Sequence, residues 1–218
     1  MNAPDLQALL HSLPETLRPL AAQGKLRRYR KDTVIIHEGS RGDEFYFLLQ
    51  GRVRAYSTDA SAREITYSID QVGAYFGEMA LDGGPRSASV MAEEATVCAV
   101  VSRAAVWEYV GRDPAFARML IERLIARSRW ATERARELAL YDVYGRLRRL
   151  LEGLAGTADG STDAERPIDE RLTHQSIASR LGSSREMVSR LMKDLERGGY
   201  IRSARGSVTL LRALPERW

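Results

Sequence analysis

Arg86 and Ser87 follow directly on Gly83-Gly84-Pro85. Such a run can hold a phosphate with a guanidinium, a hydroxyl and the backbone N–H groups of a turn. Eight residues before Arg86, Glu78 can accept a hydrogen bond from a ribose 2′-hydroxyl. Gly77 beside it lets a ligand approach the backbone closely. Singly, each part has a plainer explanation, since an Arg–Glu pair is often structural and Gly-Gly-Pro is a turn. Their concentration within residues 75–90 points to a nucleotide phosphate. Catalytic chemistry is not expected. There is no Walker A loop, no zinc-binding His pair and no Gly-x-Ser-x-Gly elbow. His11, His37 and His174 are scattered, and Cys98 is the one cysteine.

A second set of residues suits nucleic acid. Over 173–193, Thr173 and Ser184 are each fit to cap a helix N-terminus, Gly182 to make the turn between two helices, and Ala178 to let them cross closely. Ile177, Leu181, Val188, Leu191 and Leu195 fall on the faces that would pack together. Arg185, Glu186, Ser189, Arg190, Lys193 and Arg197 then share one continuous face of the second helix. Arginine can bond bidentately to guanine, and glutamate can accept from cytosine N4. A solvated charged face on a helical hairpin is the plainer alternative, but caps, turn, crossing and face are all satisfied together.

Three stretches of different period must position these residues. Residues 25–103 read as short strands, at 34–36, 44–49, 53–56, 65–69 and 96–101, broken by glycines, which argues for a barrel or sandwich. Residues 115–142 hold no Gly or Pro and read as one long helix. On it Leu124, Ser128, Ala131, Ala135, Leu138 and Asp142 recur at coiled-coil spacing. Residues 144–218 read as a helix at 145–154, a loop at 156–167, the two-helix motif, and strands at 200–204 and 207–211 around a basic turn, Arg205-Gly206. That hairpin suits a wing lying along phosphates.

Bulk composition agrees. The 218 residues are 44% hydrophobic and 28% charged, ordinary for a soluble globular protein. No apolar run approaches a membrane span, and the first twenty residues lack a secretory pattern, so a cytoplasmic location without membrane contact is expected. Residues 1–143 carry 19 Lys and Arg against 19 Asp and Glu, and 144–218 carry 14 against 10. The whole formal charge of +4 thus falls on the last third, as a polyanion-binding module would have it.

Residues 75–90 resemble the phosphate-binding cassette of the bacterial CRP/FNR transcription regulators. Ile36-His37-Glu38-Gly39 and residues 47–54 are similar to that family's barrel glycine motifs, Leu138-Ala139-Leu140-Tyr141-Asp142 to the end of its dimer helix and hinge, and residues 184–190 to its recognition helix. The resemblance spans residues 20–212. It implies an α+β chain: an N-terminal cyclic-nucleotide-binding β-barrel (a double-stranded β-helix) over 1–114, a long dimerisation helix over 115–142, and a C-terminal winged helix-turn-helix over 143–218. It implies a homodimer whose DNA binding is controlled by a cyclic nucleotide, cAMP first, with cyclic di-GMP or no ligand as alternatives. Gly77, Glu78, Arg86 and Ser87 would hold ribose and phosphate, joined by Arg127 and Thr132 of the long helix. Ala131 departs from the family's threonine, which puts the purine contact in doubt. Arg185, Glu186 and Arg190 would read a palindrome with TGTGA-like half-sites, Ser189 leaving an FNR-like preference open. Thr173 and Ser184 would meet phosphates, and Lys193 would add a further DNA contact. RNA polymerase is the expected protein partner. The iron–sulfur branch uses N-terminal cysteines that this chain lacks. The three histidines are not placed as haem ligands, and no metal is expected.

Overall fold

The computed structural model describes residues 3–60, 64–156, 165–204 and 206–218. The chain divides into two compact units, Met1–Ser57 with Thr66–Ser128, and Thr58–Ile65 with Arg129–Trp218.

The first unit begins with helices α1 (Ala3–Leu10) and α2 (Arg18–Ala21). Strands β1 (Lys25–Tyr29), β2 (Val34–Ile36), β3 (Glu44–Gln50), β4 (Arg52–Thr58), β5 (Glu64–Gln71), β6 (Tyr75–Phe76), β7 (Ser89–Ala92) and β8 (Thr96–Ser102) follow, then helix α3 (Arg103–Arg112). The strands form two four-stranded sheets, ordered β1-β8-β3-β6 and β2-β7-β4-β5. Side chains alternate between the faces of a strand, and both faces of β3 are covered. Phe45, Phe47 and Leu49 join Tyr75, Leu20 and Val106 under the helices, while Tyr46 and Leu48 meet Ile36, Val53 and Val90 from the opposite sheet. That is why residues 45–49 are apolar without a break. Burying each such phenylalanine contributes roughly 1.5–3 kcal/mol. Three strands and three helices of this unit escape the sequence reading: β1, β6, β7, α1, α2 and α3. β1 is a basic edge strand, Lys-Leu-Arg-Arg-Tyr, whose charges hide its β character.

Helix α4 (Pro114–Leu140) opens where Asp113 Oδ1 accepts from the N–H groups of Ala115 (2.9 Å) and Phe116 (3.1 Å). Those bonds hold the Asp113 carboxyl below the usual range. Of its 27 residues only Phe116 and Leu120 are buried. Ile121, Leu124, Ile125, Trp130, Leu138 and Leu140 stand exposed. The helix stops at Leu140, not Asp142, because Asp142 caps the next one: its Oδ1 accepts from Gly145 N at 2.7 Å.

The second unit carries α5 (Val143–Leu154), β9 (Arg166–Ile168), α6 (His174–Leu181), α7 (Arg185–Arg197), β10 (Ile201–Ala204) and β11 (Ser207–Leu210). Its sheet runs β10-β11-β9. The expected loop at 156–167 therefore ends in a strand. β9 lies at the sheet edge, where Pro167 can sit without removing an interior ladder bond. Leu147, Leu151, Ile177, Val188, Leu195 and Leu210 form the fully buried centre of this core. Among the described residues no helix is long and apolar enough to cross a membrane.

Candidate nucleotide pocket and nucleic-acid interface

After β6 the chain turns at Gly77, in the left-handed region (φ 89°), into a single 3-10 turn over Glu78–Ala80. A Cβ on Gly77 would lie 2.9 Å from Arg86 Nη1 and 3.1 Å from the Glu44 carbonyl oxygen. Glycine thus makes the slot into which the arginine fits. The Arg86 main chain is pinned to the turn before β3, donating to Ser40 O and accepting from Gly39 N, each at 2.9 Å. Its side chain is only 5% exposed. Nη1 donates to Gly77 O at 3.0 Å and Nη2 to Glu44 O at 2.8 Å, with the Glu44 carboxylate 3.5 Å away. The guanidinium lies in the wall of a small open cavity whose lining also includes Ile36, Phe76, Gly77, Ser87 and Arg127. Ser87 is exposed at its edge.

Glu78 is 3% exposed. Arg127 of α4 donates to its Oε1, while Oε2 is buried and has no hydrogen-bond partner among the described residues. Burial pushes the Glu78 carboxyl up, and the Arg127 charge only partly opposes this. Buried polar atoms are normally satisfied, so Oε2 is an acceptor in want of a donor. The structure thus brings Gly77, Glu78, Arg86, Ser87 and Arg127 together. Thr132 stands exposed on α4, in the stretch assigned to the second unit.

In the second unit Thr173 Oγ1 accepts from Ser176 N (3.0 Å), and Ser176 Oγ accepts from Thr173 N (2.9 Å), a capping box at the start of α6. Gly182 ends that helix in the left-handed region (φ 62°). Ser184 Oγ accepts from Met187 N at 3.2 Å and starts α7. Val188, Leu191, Met192 and Leu195 bury one side of α7. Arg185, Glu186, Arg190, Lys193 and Arg197 are exposed, and Ser189 is half-buried. Arg185, Arg190 and Lys193 have no ion-pair partner among the described residues. β10 and β11 pair from Ile201↔Leu210 to Ala204↔Ser207, and Gly206 (φ +87°) takes the turn. Arg205, expected in that turn, lies outside the described residues.

Residues 26–113 match the cyclic nucleotide-binding domain, and residues 145–213 match the Crp-like helix-turn-helix domain. The chain is 32% identical over 190 residues to the cAMP-activated global transcriptional regulator Vfr of Pseudomonas aeruginosa, covering 85% of this chain and 88% of Vfr. It belongs to the CRP/FNR family of DNA-binding transcription regulators. The cAMP-activated regulator CRP of Escherichia coli is 28% identical over 198 residues, 90% of this chain and 93% of that one. Among solved structures, the c-di-GMP responsive regulator CLP of Xanthomonas campestris superposes with a TM-score of 0.75 at 24% identity, over 89% of this chain and 97% of CLP. A catabolite activator protein of Thermus thermophilus, 29% identical, superposes with a TM-score of 0.54 over 93% of each chain. Glu44, in contact with Arg86, is the pocket residue that the sequence reading missed. Nothing local ties residue 44 to residue 86, and only the fold places them side by side.

Proposed function

We propose that the protein is a cytoplasmic homodimer in which cAMP, bound at the cassette, controls recognition of palindromic double-stranded DNA. The observation that carries the ligand reading is the unpartnered, buried Glu78 Oε2, on the residue that follows Gly77 of the Arg86 slot. A ribose hydroxyl supplies the missing donor, and the cyclic phosphate takes donors from Arg86 and Ser87. Gly77 keeps the backbone open to the ligand, and the Arg127 charge partly offsets the cost of ionising the buried Glu78. Thr132 joins this set by family resemblance. The names of Vfr and of CRP favour cAMP among cyclic nucleotides. Apolar side chains left exposed along α4 favour pairing of two chains there.

In this reading Arg185, Glu186, Ser189 and Arg190 face base edges, and Thr173, Ser184 and Lys193 face phosphates. RNA polymerase is the partner such a regulator meets at a promoter. Ligand binding shifts DNA affinity only through contacts that differ between two arrangements of α4. Coupling of this kind is typically about 1–3 kcal/mol, or roughly 5–150-fold. Calorimetric titration of the purified protein with cAMP, cGMP and cyclic di-GMP tests the ligand. Saturable binding of cAMP is expected, and a preference for cyclic di-GMP overturns the assignment. Leu138→Glu should sediment as a monomer, and a dimeric Leu138→Glu would place the interface elsewhere.

A further inference from the structure

Arg86 offers its charge to the pocket through a slot with two glycine walls. Gly77 forms one. Gly42 forms the other, where a Cβ would lie 2.9 Å from Glu44 Oε2 and 3.1 Å from Arg86 Nη2. A side chain at 42 would press on the ends of both the carboxylate and the guanidinium. Glu44 starts β3, and its backbone carbonyl already anchors Nη2 at 2.8 Å. The side-chain carboxylate is therefore not needed to place the arginine. At 3.5 Å it acts on Arg86 chiefly as a negative charge. On its far side Glu44 Oε1 is 3.6 Å from Arg27 Nη1, on edge strand β1. The three side chains run outward from the buried Arg86 through Glu44, 34% exposed, to Arg27, 47% exposed.

We infer that Glu44 sets the affinity of the pocket for its anion by competing with the ligand's phosphate for Arg86, and that Arg27 weakens this competitor from behind. The inference rests on the reading of the cassette as a cyclic-phosphate site. A phosphodiester brings one negative charge to a guanidinium that Glu44 has already partly neutralised. Arg27 draws the carboxylate outward and so leaves more of the Arg86 charge for the ligand. The competitor is half-screened by water, so its effect is a modest one.

Calorimetric titration of the full chain with cAMP tests this in four proteins: wild type, E44Q, R27Q and the double variant. E44Q keeps size and an acceptor but removes the charge, and should bind cAMP about fivefold more tightly. R27Q should bind about two- to threefold more weakly, and that loss should largely vanish in the E44Q background. The gap between wild type and E44Q should narrow as salt is raised. If Glu44 were merely structural, E44Q would bind equally or less well, which overturns the inference while leaving the cAMP site standing. An R27Q loss of equal size in both backgrounds overturns the role of Arg27. If neither wild type nor E44Q binds cAMP, the ligand reading falls and this inference with it. Thermal melts of each variant show that the fold persists, and R27Q tests the same triad with Glu44 intact.

Discussion

Arginine stands at both candidate sites of the chain, and the surroundings of the charge differ. In the pocket Arg86 is almost wholly buried, and its two terminal nitrogens already bond carbonyl oxygens of Gly77 and Glu44. On α7, Arg185 and Arg190 stand in solvent with no ion-pair partner among the described residues. A buried charge has to be satisfied by its own chain before any ligand arrives, because an unsatisfied one is too costly. It is therefore part of the fold as well as of the site. An exposed charge facing a polyanion carries no such duty. Substitutions should separate the two cases: pocket variants should disturb ligand binding and stability together, and α7 variants should change DNA binding alone.

The largest effect is expected from Arg86→Leu. It removes charge-assisted bonds to the ligand, worth about 1.5–3 kcal/mol each, so cAMP affinity should fall on the order of 100-fold by calorimetry. It also leaves the Gly77 and Glu44 carbonyls without their donor, which should lower unfolding free energy by about 1–3 kcal/mol. An Arg86→Leu protein that melts like wild type would break the comparison, since the arginine would then be no part of the fold.

Glu78 sharpens the same contrast through pH. Burial raises its folded pKa above the ordinary 4.5 of an exposed glutamate. A raised carboxylate weakens the fold while ionised. The penalty is fully present above the raised pKa and is relieved as pH falls from there toward the unfolded value. In that window stability should rise on acidification while cAMP affinity falls, because protonation weakens the acceptor for the ribose and the pairing with Arg127. Glu78→Gln should lose several-fold in cAMP affinity and flatten this part of the pH–stability curve. A curve unchanged in Glu78→Gln would show that the carboxyl does not titrate in that window.

Much of this was legible in the sequence where local spacing carries the information. The cassette around Arg86 is a contiguous run, and the helix-turn-helix is fixed by caps at Thr173 and Ser184 and a turn at Gly182, all within about two dozen residues of chain. The rest depends on contacts between distant residues. Glu44 and Arg86 meet only because β3 and the cassette are brought together by the sheet. β9 was hidden because a three-residue strand containing Pro167 has no period of its own, and it exists because β11 offers it an edge. β1 was hidden because an edge strand tolerates charge that a central one would not.

The smallest effects on stability should come from α7, and there two neighbouring cations should behave differently on DNA. Arg190 and Lys193 are three positions apart, close to one helical turn, and both are exposed. Arginine's fork matches guanine O6 and N7, and a good bidentate pair is worth about 1–3 kcal/mol of discrimination against the wrong base. Lysine is a flexible point charge that suits phosphate. Arg190→Ala should therefore weaken binding to the operator more than to scrambled DNA and relax preference at one position of each half-site. Lys193→Ala should weaken every duplex alike and lower the slope of log affinity against log salt by about one unit. Neither should move unfolding free energy by more than about 0.5 kcal/mol, as for surface changes generally. Binding isotherms on operator and scrambled duplexes at several salt concentrations distinguish the two. If Arg190→Ala loses affinity equally on both duplexes, Arg190 is a phosphate contact, and base reading by α7 would fall to Arg185, Glu186 and Ser189.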